Sequence, residues 1–268
     1  MSASARLRDG IPEPWATEWG EDRHGLFMGL SVAGVTQRLR YIPPGEFLMG
    51  SPESELGRYD NEEQHIEKVT EGFWLAETPC TQALWQAVMG DNPSHFQDPK
   101  RPTLPVEHVS WDDCQIFLQR LNEHVPGLAA RLPREAEWEY ACRAGTTTAT
   151  WAGDLESEEV SAVLEPIAWY RHNSDRRTQP VRGKAVNPWG LYDMLGNVWE
   201  WCQDPYERYT RTATQDRTNA SEGRDRVLRG GSWSGDARDV RAADRLAGPP
   251  DFRSGYLGFR LARGQESS

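Results

Sequence analysis

From Trp151 to Gly264 the chain has few apolar runs at helical spacing, yet it is dense in tryptophan, glycine and arginine. That stretch most limits what the chain can become. A segment this long without helical period must consist of long connections packed by aromatic residues around a few strands. Tryptophan and phenylalanine supply buried area. Arginine supplies rigid, bidentate donors that tie loops to carboxylates and carbonyls.

The first half is more regular. Leu26 to Val32 and Thr36 to Ile42 read as strands, with Pro43-Pro44-Gly45 as a turn. Glu46 to Gly50 and Glu67 to Phe73 also read as strands, and Ser51 to Gln64 as loop. Thr81 can cap a helix over Gln82 to Met89 with Leu84, Trp85 and Val88 on one face. Ser110 can cap Trp111 to Val125, with Asp113 three residues on, where an acid suits a helix start. Leu132-Pro133-Arg134-Glu135 opens a third helix through Ala144, stopped by Gly145. Its acids Glu135, Glu137 and Glu139 are expected to solvate the helix and pair with arginines. No repeat or linker divides the chain. The expected organisation is an extension over 1–20, one composite domain over 21–264 and a tail over 265–268.

A net charge of −11 argues against nucleic acid as partner. No run of eighteen apolar residues offers a membrane span, so membrane insertion is not expected. The N-terminus lacks the apolar core of a secretory leader, which points to the cytoplasm, although a specialised export route would leave no trace here. Cys80, Cys114, Cys142 and Cys202 form no Cys-x-x-Cys pair and read as reduced, mostly buried thiols.

Six short segments then coincide in order. They are Pro44-Gly45-Glu46-Phe47-Leu48-Met49-Gly50, Pro105-Val106 with Val109-Ser110-Trp111, and Leu132-Pro133-Arg134-Glu135-Ala136-Glu137-Trp138-Glu139-Tyr140-Ala141. Asn187-Pro188-Trp189-Gly190-Leu191-Tyr192-Asp193-Met194 and Gly196-Asn197-Val198-Trp199-Glu200-Trp201 follow. The last is Arg229-Gly230-Gly231-Ser232-Trp233 with Leu257-Gly258-Phe259-Arg260. Over roughly residues 38–263 the chain resembles the formylglycine-generating enzyme (sulfatase-modifying factor) family. The resemblance implies an irregular α+β fold of the C-type-lectin kind with low regular secondary structure. It also implies what is missing. The family's oxidases hold copper with two cysteines a few residues after the Gly-Gly-Ser-aromatic motif. Here those positions hold Ser234, Gly235, Asp236, Ala237, Arg238 and Asp239, and no cysteine follows Cys202. Copper(I) needs soft thiolates, so copper is not expected. A second, iron-dependent route within the fold uses a histidine cluster on an added helical domain. The six histidines here are scattered, without His-x-x-x-His spacing.

The C-terminal stretch has a frame and a filling. Trp233, Arg238, Arg241, Arg245, Arg253, Phe259 and Arg260 are expected to be scaffold. Between them stand Ser234, Gly235, Asp236, Asp239, Asp244, Leu246, Ala247, Gly248, Pro249, Asp251, Phe252, Ser254, Gly255 and Tyr256. This alternation resembles the variable region of target proteins of diversity-generating retroelements, which randomise template adenines. A randomised asparagine codon never yields Glu, Lys, Gln, Met or Trp, and all fourteen filling residues obey that. The expected function is a non-catalytic binding protein for a protein, peptide or glycan ligand, displayed on a rigid scaffold. Tyr256 and Phe252 would be anchors, and the aspartates would favour a basic or polar partner. The alternatives are an oxidoreductase or protein-modifying enzyme with a non-standard site, and an adaptor subunit of a larger system.

One further segment bears on ions. Asn197, Val198 and Glu200 resemble the family's structural calcium segment, and oxygen donors suit that ion. Equally, Asn197 could fix a turn and Glu200 could pair with an arginine.

Overall fold

The computed structural model describes residues 12–209 and 225–264. Six strands, in the order β1-β2-β3-β6-β12-β7, form one sheet: β1 (Glu18–Asp22), β2 (Gly25–Val32), β3 (Val35–Ile42), β6 (Phe73–Ala76), β12 (Ala262–Arg263) and β7 (Ala130–Arg131). A two-stranded sheet pairs β4 (Gly45–Met49) with β5 (His65–Val69). A four-stranded sheet runs β10 (Arg245–Gly248), β9 (Arg226–Arg229), β8 (Trp199–Pro205) and β11 (Leu257–Gly258). β11 joins β8 in parallel, and β12 joins β6 and β7 antiparallel. The segment 257–263 therefore passes from one sheet into the other. Gly258 serves that passage: an added Cβ would sit 2.5 Å from the Val106 carbonyl oxygen.

Three helices sit where the capping residues place them. In α1 (Gln82–Met89) the Thr81 hydroxyl accepts from Leu84 N at 3.2 Å. In α2 (Trp111–His124) Ser110 and Asp113 exchange side-chain and backbone bonds at 3.1 and 2.9 Å, a reciprocal cap. In α3 (Glu135–Arg143) Glu137 accepts from the Arg134 backbone at 2.8 Å. Ala144 itself takes the left-handed turn, at φ 47°, one residue before the glycine expected to stop the helix. The apolar faces of α1 and α2 meet through Trp85 stacked on Phe117, with Phe259 edge-on to both. Phe259 is fully buried, which contributes about 1.5–3 kcal/mol by area alone. Among the described residues no helix is long and apolar enough to cross a membrane.

Three expectations change. The boundary at residue 20 cuts through β1, which pairs with β2, and Trp15 is buried in the core. Residues 12–20 thus belong to the domain, while 1–11 and the tail 265–268 lie outside the described residues. Residues 67–73, read as one strand, divide between the end of β5 and the start of β6. The largest change concerns α3. Glu135 and Glu139 do not solvate it; they are buried, at 4% and 0% exposure, because arginines from the C-terminal stretch reach in to meet them. All four cysteines are free and buried.

Candidate functional site

The C-terminal stretch divides by depth. Arg229, Arg241 and Arg260 are completely buried, and Arg245 nearly so. Arg241 grips Glu62 at 2.6 and 2.8 Å and Glu55 at 2.7 Å. Arg245 makes a fork to Glu135 at 2.7 and 2.8 Å. Arg260 does the same to Glu200 at 2.6 and 2.7 Å, and also donates to the carbonyls of Ala76, Tyr192 and Asp193. Arg229 pairs with Glu139 and donates to the carbonyls of Ala242, Ala243 and Asp244. Burial pushes the Glu62 and Glu135 carboxyls up, but Arg241 for the first, and Arg245 with Arg229 for the second, hold both below the ordinary carboxylate value. These arginines are internal struts in place of regular secondary structure.

The filling does not all face outward. Leu246, Pro249, Asp251 and Phe252 are exposed, whereas Ser234, Gly235, Asp236, Asp239, Ala247, Ser254, Gly255 and Tyr256 are half-buried. Asp244 and Gly248 are buried and leave the candidate surface. An added Cβ at Gly248 would meet the Trp201 ring at 2.9 Å, and burial pushes Asp244 up to about 8. Asp239 is also committed: it accepts from the Tyr59 hydroxyl at 2.9 Å and caps the turn at Asp236 N at 3.0 Å. Burial and this carboxylate together push Tyr59 up to about 12. Tyr256 packs partly against the core, so Phe252 is the better placed anchor. Arg253, expected as scaffold, lies at the surface, where it makes a fork to Asp113 at 2.6 and 2.7 Å.

Two groups complete the face, and neither stood out in the sequence. The first surrounds Trp233, whose indole donates to Gly255 O at 2.9 Å. Phe96 meets Trp233 edge-on at 5.4 Å, and Arg177 lies over Phe96. Beneath them is Glu107, fully buried, with one carboxylate oxygen taking Phe96 N at 2.7 Å and the other without a partner. Burial pushes its carboxyl up to about 7. The second group forms a surface pocket of about 500 Å³ lined by Glu159, Val160, Arg171, His172 and Asp236. Its walls are bonded through backbone: Ala237 N to Glu159 O at 3.1 Å, Arg238 N to Glu158 O at 2.8 Å and Arg171 N to Gly235 O at 3.0 Å. Arg171 and Tyr59 carried no periodic or motif signal. Only their proximity in space to residues 234–239 marks them.

The calcium segment takes the other form that its residues allowed. Both Glu200 oxygens are engaged by Arg260, and one also accepts from the Trp138 indole at 2.7 Å. Asn197 accepts from Gln179 N at 3.1 Å and donates to Gln179 O at 3.0 Å. Val198 is buried. The Glu200 charge is already balanced by a buried guanidinium and the Asn197 amide is spent on Gln179, so these side chains are a poor calcium set. Among the described residues no group of three or more His, Cys, Asp or Glu could hold a metal ion.

Fold and face together define a lectin-like scaffold of the irregular α+β type, braced by buried arginines beneath a loop-rich surface. The chain belongs to the sulfatase-modifying factor enzyme 1-like domain family, whose model matches residues 32–265. It is 35% identical to the formylglycine-generating enzyme of Streptomyces coelicolor over 181 residues, which cover 60% of this chain and 53% of that protein. It is 31% identical to the inactive C-alpha-formylglycine-generating enzyme 2 of Bos taurus over 202 residues, 72% of this chain and 59% of that one. The chain thus spans about half the length of the curated relatives it matches. Among solved structures, Treponema denticola variable protein 1 superposes with a TM-score of 0.76 at 30% identity, covering 89% of this chain and 99% of that one. Enzymes and a variable protein thus share the fold, and fold alone does not choose between them.

Proposed function

We propose that the chain is a non-catalytic binding protein that displays a changeable surface near its C-terminus, the target of a diversity-generating retroelement. One observation carries the reading. Within residues 226–260 the frame arginines 229, 241, 245 and 260 are buried and ion-paired, while most of the filling between them reaches the surface. Such a division lets surface residues change without disturbing the struts. The likeness to a variable protein at 30% identity and nearly full coverage supports it. So does the state of the thiols. No cysteine lies between 203 and 268, and burial raises Cys80, Cys114 and Cys202 well above the ordinary thiol value and Cys142 to about 12. Those four are poor thiolate donors for an accessible site.

The direct test is to sequence codons 226–263 in many cells of the source population. Substitutions are expected at the codons for Asp236, Leu246, Pro249, Asp251, Phe252 and Ser254 to Tyr256. A nearby near-copy of the gene should carry adenines at those codons. Arg229, Arg241, Arg245 and Arg260 should not vary. Uniform invariance, with no near-copy, overturns the reading.

The second reading is an enzyme of the same family with a different site, favoured by the 35% identity to a formylglycine-generating enzyme. Oxygen-dependent conversion of a cysteine-containing peptide, lost when Cys80, Cys114, Cys142 and Cys202 are replaced one at a time, would establish it.

A further inference from the structure

The surface pocket beside Asp236 holds an arginine that the chain itself neutralises. The Arg171 guanidinium is fixed on one side by its Nε, which donates to Ser234 O at 2.9 Å. Its Nη1 meets both Asp236 oxygens, at 2.9 and 3.1 Å. Its Nη2 has no hydrogen-bond partner among the described residues, and neither has the carboxylate of Glu159, which lines the same pocket. Val160, 43% exposed, supplies an apolar wall. Arg171 and Asp236 cancel, so Glu159 leaves an unbalanced negative charge in a pocket that joins the proposed binding face. The neighbouring Glu158 does not alter this, because Arg238 pairs with it at 3.1 Å.

We propose that this pocket receives a cationic side chain, lysine or arginine, from a protein partner, and that residue 236 decides whether it prefers a cation. Aspartate at 236 silences Arg171 and leaves Glu159 to attract the cation, whose aliphatic stem lies along Val160. A neutral residue at 236 frees Arg171 to balance Glu159, and the pocket loses its preference for cations. Residue 236 is one of the filling positions. One substitution there would therefore erase the charge preference without a new scaffold contact. This rests on the binding-protein reading, which it deepens by naming the chemistry of one part of the face.

The test is an NMR titration at low salt, following the amides of 158–160 and 171–172 and the Val160 methyls. The probes are acetyl-Ala-Lys-Ala-amide and acetyl-Ala-Glu-Ala-amide. The unaltered protein is expected to bind the lysine peptide about two- to fivefold more tightly, the range one exposed ion pair supplies. Glu159→Gln should abolish that preference. Asp236→Asn should likewise bring the two peptides to about equal affinity, because the freed Arg171 then balances Glu159. Equal affinities in the unaltered protein overturn the proposal, as does a lysine preference that survives Glu159→Gln. If Asp236→Asn does not fold, the Glu159→Gln comparison decides. The codon survey can fail while this titration succeeds, so the two readings fall separately.

Discussion

Arg241 and Arg253 stand twelve positions apart in one stretch of chain and live in different media. Arg241 is fully buried and holds two glutamates from the loop at 51–64. Arg253 is about half exposed and meets Asp113 in water. The same contrast separates the fully buried run 240–245 from residues 246–256, mostly exposed or half-buried. Burial, and not residue type, decides what an ion pair does. A buried pair imposes geometry because neither partner tolerates being left alone. An exposed pair is screened and nearly optional.

The contrast breaks most visibly at the buried end. Arg260→Met leaves Glu200 charged and unpaired in the core, and should cost about 3–5 kcal/mol in urea denaturation. The double variant Arg260→Met with Glu200→Leu should recover much of that loss. An Arg260→Met loss below about 1 kcal/mol would mean the struts are not what braces the domain.

Asp244 tests the same interior by pH. An unfolded aspartate titrates near 3.8, and the folded one is pushed up to about 8. Between those values the folded state keeps a proton that the unfolded state has released. Stability therefore falls as pH rises from about 4 to about 8 and levels off above. Asp244→Asn removes that slope. The variant should gain on the unaltered protein as pH rises from 5 to 8, by up to about 1.4 kcal/mol per pH unit, read from melting curves at each pH. A constant difference across that range would contradict the buried, protonated state.

Asp239 lies at the border. Asp239→Ala should cost about 1–2 kcal/mol through the lost cap and the lost Tyr59 bond. It should also move Tyr59 down from about 12 toward the ordinary tyrosine value of 10.0, as followed by ultraviolet titration. A tyrosine that does not move would place Asp239 with the exposed filling. The smallest effect belongs to the outer face. Leu246→Ser, Asp251→Ser and Phe252→Ser are each expected to stay within about 0.5 kcal/mol of the unaltered protein. A collapse of melting temperature in any of them would erase the distinction between frame and filling.

Much of the fold was legible because its signals are local. Thr81, Ser110 and Asp113 announce helix starts through bonds that span three residues, and the structure places α1 and α2 there. The motifs at 44–50, 132–141, 196–201 and 229–233 pointed to the family that the match over 32–265 bears out. The candidate site was half legible. Leu246, Pro249, Asp251 and Phe252 are exposed where a surface reading needs them, while Asp244, Gly248 and Asp239 are held inside or engaged. Arg171, Glu159 and Val160 gave no sign of forming a pocket with Asp236, since they come from segments some 65–77 positions away.

The sequence by itself determined the local pieces: capped helices, glycine turns, an arginine-rich C-terminal stretch, and the lack of cysteine beyond Cys202. Only the tertiary structure decided which arginines became struts and which aspartates faced solvent. Arg241 meets Glu62 across 179 positions and Arg260 meets Glu200 across 60. Capping and turn formation act between neighbours, and a linear pattern records them. Desolvation acts on groups that close packing brings together from distant segments, and the chain has no periodicity that records that pairing.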